Sequence, residues 1–214
     1  MRATLNRGKA PDVLLVFSHP PHLSRGPDTQ IFSDLYLVNT GCPSRLYPLR
    51  AGFRFEMVAS DDVRGHTAIH VLKGAVVHVL GRGAKWSASA YSQGTHGGLT
   101  VQFDRKPTDE EMSRIEVAAN QKIIENTPTI VYEMSRSDAE ARWGDDIYDL
   151  FSLPAELKVV KVFYLSGWNV NTCGRQHCDK TGELGGLKIM KWRYRANKQL
   201  LEMSFDVTGI NMSG

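Results

Sequence analysis

His66 and His70 lie four residues apart, and 103 residues beyond the second, Cys173 and His177 repeat that gap. In HTAIH both imidazoles share one face if the segment is helical, because residues i and i+4 are neighbours on a helix. CGRQH follows a strand-like run and reads as a loop. Three imidazoles and a thiolate form a borderline-soft donor set that suits Zn²⁺ better than Mg²⁺ or Ca²⁺. One histidine pair on an apolar helix is commonly packed core. A second pair of matching spacing, carried by a glycine-bearing loop, points to a shared cation.

The residues around the ligands narrow the chemistry. Zinc proteases place a glutamate beside the first histidine, in HExxH, to act as general base. Here Thr67 holds that position, and a threonine hydroxyl does not take a proton from water near neutral pH unaided. Zinc deaminases need a glutamate next to the histidine and a PCxxC pair, and neither is present. The set fits an easier reaction, such as hydrolysis of an already activated ester. No Asp or Glu stands out as a base; Asn169, Asn171 and Glu183 are candidates for supporting the ligands from outside. Cys178 directly follows His177, which makes simultaneous coordination awkward. His78 and His96 read as surface or packing residues.

The elements that must position these groups read as follows. His66 to Leu80 is a buried helix, with Ile69, Leu72, Val76, Val77 and Leu80 on its apolar side and Gly81 as its stop. Residues 85–92 and 99–104 alternate as strands joined by QGTHGG as a hairpin turn. Thr108 and Glu111 form a capping box for a long helix striped by Met112, Ile115, Ala119 and Ile123. Thr129 to Met134 is a strand, and Ser137 to Trp143 a short helix with Ser137 and Glu140 as its cap. Strands Lys158 to Leu165, Leu187 to Tyr194 and Gln199 to Val207 follow, the last two joined at Arg195 to Lys198. Hairpin-linked strands with helices in separate blocks predict an α+β fold: a largely antiparallel sheet, the HxxxH helix, a second long helix, and a metal cleft between helix and sheet.

Composition sets the outer bounds. The 214 residues are 42% hydrophobic and 23% charged, as in a soluble chain with one sizeable core. No apolar run approaches the roughly 20 residues of a membrane span, and Val13 to Phe17 is too short for a secretory signal. Three cysteines fit a reducing compartment and metal binding better than a disulfide framework. Residues 1–56 hold six of the nine prolines and no sustained period, so they read as a poorly ordered N-terminal extension, with Met57 a natural alternative beginning. A basic presequence is opposed by Asp12, Asp28, Asp34 and the scarcity of serine. Residues 158–198 carry nine Lys/Arg against two acids, a basic stripe beside the second ligand pair that suits a polyanionic substrate. Solvated edge-strand lysines that deter aggregation are the plainer reading.

The segments HTAIHVLKGAVVHVLG, LTVQFDRKPTDEEM, DDIYDLFSLP and WNVNTCGRQHCDKTGELGGLKI resemble the small free-standing alanyl-tRNA editing proteins. These are relatives of the editing domains of alanyl- and, more distantly, threonyl-tRNA synthetases. The resemblance runs from about Met57 to Val207, follows the short form of the family, and makes 57–214 the editing domain. It implies a cytoplasmic, zinc-dependent deacylase that hydrolyses Ser-tRNA(Ala) in trans, with Gly-tRNA(Ala) a further substrate, and no membrane or stable protein partner. It implies His66, His70, Cys173 and His177 as Zn²⁺ ligands, and it places Thr67 at the amino-acid pocket, as candidate for the contact that tells serine from alanine. A helix threonine bonding its own backbone is the plainer alternative there. Arg175 and Gln176, where the family often has glycines or Asn-Lys, and Cys178, where Thr or Val is common, are departures that remove no ligand. Lys188, Lys191, Arg193, Arg195 and Lys198 are the candidates for acceptor-stem phosphates. Two rivals remain: a non-catalytic RNA-binding module stapled by zinc, and a deacylase of another mischarged tRNA such as Ser-tRNA(Thr).

Overall fold

A computed structural model describes residues 59–209; the extension expected over 1–56 lies outside them. Helix α1 spans Asp61–Leu80, starting five residues before the expected His66. Ser60 caps it, accepting from the Val63 N–H, and Asp61 and Asp62 in the first turn complement the helix dipole. Every residue from Arg64 to Val76 is buried, so α1 is enclosed on all sides rather than amphipathic. The early start escapes a hydrophobic reading because it carries Arg64. That buried guanidinium donates to the carbonyls of Glu183 (3.0 Å), Leu184 (2.7 Å) and Thr208 (2.8 Å) and to Asp61 (3.0 Å).

Strands β1 (Ser87–Gln93) and β2 (His96–Gln102) form a hairpin whose turn is only Gly94-Thr95, with Gly94 at φ 57°. Gly97 and Gly98, expected in the turn, instead lie in β2. A Cβ on Gly97 would sit 2.4 Å from the Phe205 ring, and one on Gly98 would sit 2.3 Å from Tyr91. Helix α2 (Asp109–Ile124) has the expected capping box, with Glu111 N–H to Thr108 Oγ1 at 3.1 Å and Thr108 N–H to Glu111 Oε2 at 2.9 Å. Its Met112, Ile115, Ala119 and Ile123 stripe is buried as expected. Helix α3 (Arg136–Trp143) follows β3 (Thr129–Ser135), but its cap is Ser135, not Ser137. Strands β4 (Val159–Leu165), β5 (Asn169–Thr172), β6 (Gly186–Arg195) and β7 (Leu200–Thr208) complete the α+β fold.

The strands are antiparallel throughout but divide into two sheets, ordered β1-β2-β7-β6 and β3-β4-β5. On β7, Leu201, Met203, Phe205 and Val207 alternate into the main core under α1 and α2. Helix α1 touches β1, β2 and β7 of the first sheet and β5 of the second, which brings its histidines to both. A smaller core of Ala139, Ile147, Val160 and Val162 lies beneath α3.

The turn from β4 to β5 is pinned to α1 by Trp168. Its indole Nε1–H donates to Val71 O at 2.9 Å, and its ring fills the space where a Cβ on Gly74 would lie, 2.1 Å away. Gly74→Ala therefore forces Trp168 aside. We expect a loss of roughly 1–3 kcal/mol in chemical denaturation, together with weaker metal binding, because Asn169 follows Trp168 and bonds His70. Thr108→Ala, which removes a cap far from the ligands, should cost about 1 kcal/mol and leave metal binding unchanged.

Candidate metal centre and cleft

The four residues singled out by spacing converge. One donor atom from each of His66, His70, Cys173 and His177 lies within 4.8 Å of the other three. Helix α1 supplies two imidazoles one turn apart, and Cys173 immediately follows β5, its N–H bonded to Lys161 O at 2.8 Å. His177 is set by the next residue. The Cys178 N–H donates to Thr67 Oγ1 on α1 at 2.9 Å, and the Cys178 carbonyl accepts from the Thr129 hydroxyl on β3. Phe163 of β4 stacks on His70 with ring centroids 4.2 Å apart and lies tilted against His177 at 4.5 Å.

The donors fit a metal ion on their own chemistry. His70 Nε2, His66 Nδ1 and both nitrogens of His177 are buried without a hydrogen-bond partner, a costly arrangement unless something else satisfies them. Asn169 Oδ1, an acceptor, faces His70 Nδ1 at 3.2 Å. His70 therefore carries its proton on Nδ1 and keeps the Nε2 lone pair free for a cation. His66 Nε2 is 3.0 Å from Cys173 Sγ. Burial, then the Arg175 charge, lowers His66 to about 4. Burial, then His66 and Arg175, lowers His177 to about 4. His70 is held well below the usual range by burial and then by His177, His66 and Lys73. Burial also pushes the Cys173 thiol up. Without a cation the set is thus neutral, and a divalent ion would reverse the penalty on the thiolate. Cys178 is not part of the group: it packs in the main core, its thiol pushed up to about 11 by burial.

Beside the ligands opens a cleft of about 300 Å³, lined by His66, Ile69, His70 and Cys173 and, from other elements, by Ser87, Asp149, Phe151 and Asn171. Lys73, one turn along α1 from His70, is buried and paired. Its ammonium donates to Asp149 Oδ1 at 2.8 Å and to Asn171 Oδ1. Ser87, 5% exposed, has a buried hydroxyl without a partner.

Thr67, expected as a substrate contact, has its hydroxyl bonded within the protein. It is fully buried and off the cleft lining; its hydroxyl donates to Val63 O at 2.8 Å and accepts from Cys178 N–H. It joins α1 to the ligand loop. The expected phosphate contacts share the outer face of β6, where a bulge between Ile189 and Lys191 keeps Lys188, Lys191, Arg193 and Arg195 on one side; Lys198 lies in the turn to β7. Arg193 and Arg195 both meet Glu202, and Lys188 reaches Glu116 at 3.9 Å. This strand is at the opposite edge of its sheet from the cleft-lining β1, roughly 14 Å away across three strand spacings. Spacing did not reveal Ser87, Lys73 or Asp149; a serine opening a strand, a lysine in an apolar helix and the place of Asp149 in the DDIYDLFSLP segment are the signals the sequence offers.

No family model matches the chain. It is similar to alanine–tRNA ligases: 38% identical over 128 residues to that of Methanopyrus kandleri, covering 59% of this chain and 14% of the ligase. The Archaeoglobus fulgidus ligase is 38% identical over 146 residues, 65% of this chain and 16% of that protein. The Methanococcus aeolicus ligase is 29% identical over 150 residues, 70% and 16% respectively. The chain thus spans about a seventh of the length of these curated relatives. A match to a short stretch of alanine–tRNA ligases across most of this chain is consistent with an alanyl-tRNA editing domain. Among the described residues no helix is long and apolar enough to cross a membrane.

Two measurements follow from the centre. Asn169→Ala removes the acceptor that orients His70 and should weaken metal affinity by about 10- to 100-fold in a chelator competition, with the helix content unchanged. In chelator-treated protein the lowered His66 and His177 values set a pH window. Between about 6.5 and about 4 the unfolded chain binds protons that these folded imidazoles do not. The stability present above 6.5 must therefore decline as pH falls through that range, read as a falling urea midpoint; a midpoint that rises on acidification would contradict the buried, neutral imidazoles.

Proposed function

We propose that this chain is a zinc-dependent trans-editing deacylase that hydrolyses Ser-tRNA(Ala), with Gly-tRNA(Ala) as a further substrate. The observation that carries this reading is the cleft open to His66, His70 and Cys173, since a zinc that only staples a loop needs no adjoining cavity. His66, His70, Cys173 and His177 would hold the zinc, which would supply a Lewis acid for the lone pair of the substrate's neutral α-amino group or ester carbonyl. An aminoacyl ester is already activated, so positioning and modest electrostatic help suffice. Ion-paired Lys73, with Asn171, fixes Asp149 at the cleft wall, where its carboxylate orients a water or a ribose hydroxyl.

Selectivity falls to Ser87 in this reading. A seryl side chain gives the unpartnered Ser87 hydroxyl a hydrogen bond, whereas an alanyl methyl leaves it unpaired. Thr67 acts one step removed, holding the loop that carries His177. Lys188, Lys191, Arg193, Arg195 and Lys198 take acceptor-stem phosphates, with Lys191 and Lys198 free of ion pairs among the described residues. Such contacts orient RNA without reading its sequence. Residues 1–56 are an extension dispensable for turnover, residues 57–214 are the editing domain, and the cytoplasm, where tRNA is charged, is the place of action.

The test is deacylation of Ser-, Gly- and Ala-tRNA(Ala). The wild type should hydrolyse Ser-tRNA(Ala) and spare Ala-tRNA(Ala). Cys173→Ala should abolish turnover along with stoichiometric zinc, and Ser87→Ala should narrow the Ser-over-Ala preference by about tenfold or more. Full activity of metal-free Cys173→Ala ends the zinc reading, and faster hydrolysis of Ser-tRNA(Thr) moves the substrate.

A further inference from the structure

Phe151 lines the cleft and is 70% exposed. Its backbone is nonetheless firmly placed. The Leu150 N–H donates to Ser87 O at 2.9 Å, so this segment meets the free edge of β1. Asp149 is held by Lys73 at 2.8 Å, and Ile147 O accepts from the Thr172 hydroxyl at 3.0 Å. A largely exposed aromatic ring on an anchored segment at the mouth of a cleft offers a surface for a flat partner.

The cleft is graded by depth. Its floor holds the buried His70 and Ser87, its wall the half-buried Asp149 and Thr172, and its rim Phe151 beside the exposed Ser89 and Ala90 of β1. An aminoacyl nucleotide has three parts in the same order: a small amino acid, a hydroxyl-rich ribose and a flat base. The geometry points to Phe151 as the stacking surface for the terminal nucleobase, a specificity contact that rests on the deacylase reading above. Base–aromatic stacking is the usual way a protein grips an unpaired nucleotide. The contact selects a nucleoside ester over a simple one, and it adds to binding without touching the reacting carbonyl.

The test uses zinc-loaded full-length protein and two non-hydrolysable probes, serine amide-linked to 3′-amino-3′-deoxyadenosine and plain serinamide, with affinities read by ligand-observed NMR. Phe151→Ala should weaken the nucleoside conjugate on the order of tenfold, leave serinamide unchanged, and be rescued by Phe151→Trp. The inference is overturned if the conjugate binds Phe151→Ala as well as wild type. It is also overturned if both probes weaken alike, which marks a structural role, or if wild type binds the conjugate no better than serinamide, which leaves the rim to a protein partner. A wild type that holds the conjugate through Phe151 yet fails to hydrolyse Ser-tRNA(Ala) removes the deacylase reading and keeps the base contact.

Discussion

The enclosure of α1 is the constraint from which the rest follows. A helix buried from Arg64 to Val76 carries two imidazoles, a guanidinium and an ammonium into the interior, and each polar group there must find partners or cost several kcal/mol. Arg64 takes three backbone carbonyls from the Glu183–Leu184 segment and the end of β7, thereby fixing where those segments lie. Lys73 takes Asp149 and Asn171, which shapes the cleft wall. The imidazoles alone keep unpartnered nitrogens, and their rings are the ones that each bring a donor atom to the point shared with Cys173 and His177. Satisfying the helix builds the surroundings; what remains unsatisfied is the site.

How legible this was depended on whether local or distant forces decide each element. The capping box and apolar stripe of α2 act within one helix, and the sequence reading of Thr108, Glu111 and the Met112–Ile123 stripe matches the structure. The start of α1 was missed because Arg64 counts as polar until its carbonyl partners, more than a hundred residues away, are known. Gly97 and Gly98 look like turn residues, yet they are strand residues made small by the rings of Phe205 and Tyr91. The division into two sheets is a matter of long-range pairing that alternation in a single strand does not encode.

The same division holds at the centre. The ligands were legible because coordination demands particular residue types at particular spacings. The family resemblance places Thr67 at the amino-acid pocket, while helix geometry turns adjacent residues about 100° apart, so the Thr67 hydroxyl points away from the two ligands beside it. There it meets Cys178 N–H and helps set the loop that bears His177. Ser87 belongs to no motif, and the DDIYDLFSLP segment marks no role for Asp149; both reach the cleft because β1 and the segment after α3 meet through Leu150.

The placement of charge separates two demands that would conflict at one spot. A cleft whose imidazoles and thiol could hold a cation gains nothing from neighbouring lysines, and among the described residues its buried ammonium, Lys73, is already matched by Asp149. Arg175 of the ligand loop stands near His66 and His177, whereas Lys188, Lys191, Arg193 and Arg195 are carried to the far edge of the first sheet, on one face of β6 through the bulge at Met190. Glu202 and Glu116 temper that edge, which limits non-specific attraction and holds Arg193 and Arg195 in place. An edge strand that carries lysine and arginine is also protected from pairing with another sheet. The stripe therefore has a structural use whether or not RNA binds it, and the cleft, not the charge, bears the stronger argument for what this chain does.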